Sequence, residues 1–134
     1  MNRREARKQA FLLLFQYKFQ PGEVEGLLNN LLAEIKAGTQ TEYIKETVLG
    51  TVERVQEIDD LLAKHSNDWK VDRISSVSLA VLRLGVYEML YMDDIPAAVS
   101  VNEAVALAKE YEGEEAAPFV NGILGKIKES VSKG

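Results

Sequence analysis

With 134 residues, 46% of them hydrophobic, the chain is sized for one core, and a second independent domain does not fit. It has no cysteine and one histidine, which excludes disulfides, thiolate metal sites and Cys/His dyads and leaves any Ser/His/Asp arrangement resting on His65. The net charge of −5 argues at face value against nucleic acid, but residues 1–8 carry Arg3, Arg4, Arg7 and Lys8 against Glu5, a local +3 that leaves −8 on the remainder.

The opening segment MNRREARKQAFLLLF superficially resembles a secretory signal. Its apolar run from Ala10 to Phe15 is too short, however, and passes into Gln16 and Lys18 with no small-residue cleavage site. No apolar stretch approaches the roughly 20 residues of a membrane span, so the cytoplasm is the expected location. Helical periodicity runs through nearly the whole chain. The first helix is expected from about Arg3 to Phe19, stopped by Pro21-Gly22. A second places Leu27, Leu28, Leu31, Leu32 and Ile35 on one face and ends near Gly38. Ile44, Val48, Thr51, Val55, Ile58 and Leu62 follow at steps of four and three, predicting one long helix that ends near His65, where the imidazole is expected to cap.

Ser75, Ser76 and Ser78 offer caps for a helix from Val77 to Met92 that is apolar on nearly every side and therefore expected at the centre. Arg83 inside it is expected to form an internal ion pair. Asp93-Asp94-Ile95-Pro96 ends that helix, and Ser100-x-x-Glu103 is expected to be a capping box opening the next, with Val101, Ala104, Val105, Ala108 and Tyr111 inward and Gly113 as its stop. A last helix starts near Pro118 and buries Val120, Ile123, Leu124, Ile127 and Val131. The expectation is an all-α, single-domain bundle over residues 1–134, with six or seven helices and two packed halves. Gly50 and Gly85 interrupt helical patterns and are expected to permit close packing. No phosphate-loop or dinucleotide fingerprint occurs, and the acidic pairs Asp59-Asp60 and Asp93-Asp94 lack a calcium-loop frame, so no catalytic residue, metal ligand or cofactor is assigned.

Helix one carries the sharpest functional signal. At 100° per residue, Ala6, Ala10, Leu13, Leu14 and Tyr17 share a core arc, while Arg3, Arg4, Arg7, Lys8, Phe11, Phe15 and Lys18 share a second arc about 140° wide. Cations and aromatic planes on one face suit the phosphates and unstacked bases of single-stranded RNA. The like-charged i,i+4 pairs Arg3/Arg7 and Arg4/Lys8, in a first turn where cations oppose the helix dipole, violate local rules and so point to function. Two accounts of the aromatics stay open: RNA contact, or ordinary core residues beneath solubilising arginines.

The R-x-x-A-R-x-x-A pattern from Arg3 to Ala10, then AVLRLGVYE from Ala80 to Glu88, Asp94-Ile95-Pro96, Val101-Asn102-Glu103-Ala104, Leu107-Ala108-Lys109 and Phe119-Val120-Asn121-Gly122, resemble in order and spacing the NusB family of bacterial transcription antitermination factors. The resemblance implies a non-enzymatic helical protein that binds boxA-like single-stranded RNA in nascent rRNA transcripts. It does so with NusE, the ribosomal protein, and acts on RNA polymerase antitermination complexes indirectly. It also implies RNA contacts at Arg3, Arg4, Arg7 and Lys8. Phe15 stands where the family often has a tyrosine, and Glu115 where it commonly has aspartate. With Phe119 and Asn121, Glu115 maps to the RNA-facing surface, and Lys18 joins the set from the basic arc. Asn121 is equally readable as a first-turn backbone cap. Glu103 is explained by the capping box and given no role. The resemblance implies a monomer or a homodimer, the latter covering helix one. Two other readings are a helical protein-interaction scaffold, working through the central helix and residues 93–99, and an accessory module of an RNA-modifying methyltransferase. The chain is expected to be complete, without a methyltransferase segment.

Overall fold

A computed structural model describes residues 1–66 and 70–131, and within them every regular element is helical. Seven α-helices follow in chain order: α1 Arg3–Phe19, α2 Val24–Glu34, α3 Thr41–Glu53, α4 Val55–His65, α5 Ser76–Tyr91, α6 Ala97–Tyr111 and α7 Ala116–Ser130. Short 3-10 turns at Pro21–Glu23, Gly38–Gln40 and Val71–Arg73 complete the path. No helix among the described residues is long and apolar enough to cross a membrane.

α5 is the axis. Every residue from Ser78 to Met89 is buried, as an all-round apolar helix requires, because α1, α3, α4, α6 and α7 all pack against it. Ser75 caps it by accepting the Ser78 amide at 3.1 Å. Two glycines set the spacing. The Tyr87 ring occupies the position of a Gly50 Cβ, approaching it to 2.4 Å, and Leu124 comes within 3.0 Å of the equivalent point on Gly85. Any larger residue at Gly50 would drive α3 and α5 apart. Arg83 meets the carboxylate of Asp59 with two parallel hydrogen bonds of 2.9 and 2.8 Å, the internal pair expected of it.

Four expectations need correction. The long third helix is two helices: at Arg54 the backbone turns to φ −108°, ψ 20°, although the Arg54 amide still reaches Gly50 O at 3.1 Å. The bend lets α3 pack on α1 while α4 turns towards α7, an aim the continuous apolar stripe does not record. The capping box does not form, since Pro96 rather than Ser100 precedes the helix. Ser100 and Glu103 sit inside α6, and the Ser100 hydroxyl donates to Glu88 at 2.8 Å. Val131 lies beyond the end of α7 and is only half-buried. Finally, Nε2 of His65 is buried at the end of α4 with no hydrogen-bond partner, so that nitrogen caps nothing.

Candidate nucleic-acid interface

Asn2 opens α1 by accepting the Glu5 amide at 2.8 Å, and this cap with Glu5 in the first turn offsets part of the cost of four nearby cations. The tertiary structure then divides those cations. Arg4 is exposed and grips Glu103 of α6 through two hydrogen bonds of 3.2 and 2.9 Å. Lys8 is half-buried and pairs with Glu110 at 3.0 Å. Arg3 donates to Gln40 at 2.6 Å and lies 4.3 Å over the Tyr43 ring, a cation–π contact.

Arg7 goes inward. It is 4% exposed, against its placement on the open basic arc. Its Nε and Nη2 donate to Glu88 at 2.8 and 3.2 Å, and Nη1 reaches Glu103 at 3.3 Å. Glu88 also accepts from the hydroxyls of Tyr43 and Ser100, so Arg7, Tyr43 and Ser100 all hold its buried carboxylate. Burial works against the Arg7 charge, but hydrogen bonding and attraction to Glu88 outweigh it and raise the guanidinium above its ordinary value. Burial, followed by the charge of Glu88, likewise pushes the Tyr43 phenol up and keeps it a donor. The Arg4 hydrogen bond, against partial burial, holds Glu103 below the usual carboxylate range.

The aromatic residues form a row. Tyr111, Phe11, Phe15 and Phe19 follow one another with centroids 4.9, 6.5 and 5.4 Å apart. Phe11 is core, as the blander account of it held, whereas Phe15 is half-buried and the ends are open, Tyr111 at 37% and Phe19 at 60% exposure. Tyr111 is thus not the inward residue of α6 that its spacing suggested. Lys18 reaches from the end of α1 to the hydroxyl of Ser76 at 2.9 Å, tying this face to the start of α5.

A second feature adjoins the first. A cleft of 320 Å³ is lined by Arg73, Ile74, Ser75, Ser78, Glu112, Glu115, Ala116 and Phe119. Gly113 turns the chain there at φ +120°, a conformation that favours glycine, and the Glu115 carboxylate folds over it. Phe119 is half-buried and Glu115 exposed. Asn121 lies in the second turn of α7, not the first, and is exposed, so it does not cap that helix. Most of the predicted residues therefore gather into a basic-aromatic strip on α1 and a carboxylate-aromatic cleft beside α7, with Arg7 withdrawn beneath and Asn121 outside both. Glu88, Glu110, Tyr43 and Phe19 were given no role from sequence, and Glu103 only that of a cap. Glu88 alone had a local signal, being with Arg83 one of two charges in a helix that is otherwise largely apolar. Among the described residues no group of three or more His, Cys, Asp or Glu is arranged to hold a metal ion.

Residues 4–129 match the profile of the NusB family. The chain is 46% identical to the transcription antitermination protein NusB of Acetivibrio thermocellus, covering 95% of this chain and 88% of the relative. It is 41% identical to that of Bacillus velezensis, covering 98% of each. Among solved structures, T. maritima NusB superposes with a TM-score of 0.90 at 37% identity, over 96% of this chain and 92% of the other. A structure of antitermination factors NusB and NusE in complex with dsRNA superposes at 0.83 and 32% identity, over 96% and 97%.

Proposed function

The chain belongs to the NusB family of transcription antitermination proteins, which are not enzymes, and from that premise we propose that it binds boxA-like single-stranded RNA together with NusE. The observation that carries this reading is the strip on α1, where Arg4 and Lys8 run in line with the row Tyr111, Phe11, Phe15 and Phe19, and Arg3 adds a cation on the adjoining side over Tyr43. Cations would meet phosphates, and the exposed ring edges and faces would receive unstacked bases. Phosphate has to displace Glu103 and Glu110 from Arg4 and Lys8, which is feasible because exposed ion pairs are weak. Arg7 serves differently from its neighbours: locked to Glu88, it seats α1 so that Arg4 and Lys8 face outward. Glu115 and Phe119 extend the surface to the cleft beside α7, Asn121 is exposed on another side of that helix as a separate candidate contact, and Lys18 closes the end towards α5. In this reading residues 1–134 form one RNA-binding domain acting in the cytoplasm, and NusE links it indirectly to RNA polymerase.

Binding should be measured by fluorescence polarisation with a boxA-like single strand, a scrambled strand and a duplex, with and without NusE. Preference for the boxA-like strand, strengthened by NusE, is expected. Equal weak binding to all three in both conditions would leave the protein-interaction scaffold as the better account. A homodimer that covers α1 would hide this face. Light scattering should then show the dimer mass falling to a protein monomer plus RNA at saturation, and an unchanged dimer would remove α1 from the interface.

A further inference from the structure

Each cation at the start of α1 is already engaged by a neighbouring side chain. Arg73 is not. Among the described arginines it is the one whose guanidinium makes no hydrogen bond, ion pair or ring contact, although it is exposed and lines the same cleft as Glu112, Glu115 and Phe119. Glu112 does not claim it, because that carboxylate accepts from the hydroxyls of Ser75 and Ser78, the latter at 2.9 Å. A planar five-donor fork facing a cleft without a partner is suited to a phosphate supplied from outside.

The cleft is continuous with α1. Three consecutive residues at the end of α6 connect them: Glu110 pairs with Lys8, Tyr111 packs on Phe11, and Glu112 holds Ser75 and Ser78. From the other end of α1, Lys18 reaches Ser76, next to Ser75 in the cleft wall. A strand lying along α1 is thereby led to the cleft mouth. The 320 Å³ volume is near the lower limit of small-molecule sites, enough for one nucleotide but not for a longer segment. The Glu112 and Glu115 carboxylates can accept from the amino and imino donors of a base, and the Arg73 guanidinium can meet its backbone.

We propose that Arg73 is a further RNA contact, its guanidinium binding a phosphate at the cleft that Glu115 and Phe119 also line. This rests on the RNA-binding reading and adds one residue to it.

The test is polarisation with the boxA-like and scrambled single strands at several salt concentrations, for wild type, Arg73→Ala, Arg73→Lys and Phe119→Ala, each confirmed folded by circular dichroism. Arg73→Ala is expected to weaken both RNAs by a similar factor of about 3–10 and to lower the salt slope by about 0.7, the value for one phosphate on a single strand. Arg73→Lys should keep most of the slope, and Phe119→Ala should lose sequence preference with the slope intact. If Arg73→Ala matches wild type in affinity and slope while Phe119→Ala is weakened, the Arg73 assignment falls and the RNA-binding reading survives. Weaker binding with an unchanged slope also overturns the phosphate contact. A wild type that binds neither strand overturns both.

Discussion

Glu88→Ala is expected to lower the free energy of unfolding by about 3–5 kcal/mol, because it strands the buried Arg7 guanidinium without its main counter-charge. Glu88 and Arg7 are 1% and 4% exposed, and the Tyr43 and Ser100 hydroxyls lose their acceptor in the same substitution. Urea unfolding followed by circular dichroism measures the loss. The effect belongs to the unpaired charge rather than to the pair as such, so the double variant Arg7→Met/Glu88→Leu should recover much of it, as matched apolar replacements of buried pairs commonly do. A Glu88→Ala protein within about 1 kcal/mol of wild type would mean that α1 is seated by its apolar face alone. Through Arg7, this network joins α1 to α5 and α6 from residues 81 and 96 positions away.

Arg3→Ala/Arg4→Ala/Lys8→Ala should bind boxA-like RNA roughly 10–100-fold more weakly and show a salt slope lower by about 2, at about 0.7 per single-strand phosphate. Arg7 is left out deliberately, since its removal would unseat α1 and mix unfolding with lost contact. The three chosen side chains end on Gln40, Glu103 and Glu110, and of them only Arg3 touches a core group, the Tyr43 ring, so the circular dichroism spectrum should stay that of the wild type and the urea midpoint should fall only slightly. A triple variant that binds with wild-type affinity and slope would remove α1 from the RNA surface and shift attention to the cleft beside α7.

The fold was largely legible because its cause is local and repetitive. Spacing of three and four marks apolar stripes, Pro21-Gly22 and Gly113 mark stops, and an all-round apolar run marks α5 as central. The break at Arg54 was not legible, because the apolar stripe passes through it unbroken and only the positions of α1 and α7 give the two halves different partners. Ser100-x-x-Glu103 misled for a related reason. The spacing fits a capping box, but Pro96 lies closer to the preceding turn and opens the helix first, releasing Ser100 and Glu103 to serve Glu88 and the arginines.

For the candidate site, the sequence by itself determined which chemistry is present: a cationic terminus in an acidic chain, aromatic residues interleaved with it, and the motifs of the NusB family. Only the tertiary structure decided which of those groups are available. A helical wheel ranks residues by angle on one helix and contains no neighbour, so it cannot distinguish Arg7, drawn under by Glu88, from Arg4, left open beside Glu103. Nor can it find Arg73, whose relevance depends on a turn before α5 meeting the ends of α6 and α7. Side-chain type is a property of the chain, but desolvation and pairing depend on what lies across the gap, and that is set by the packing of helices far apart in sequence.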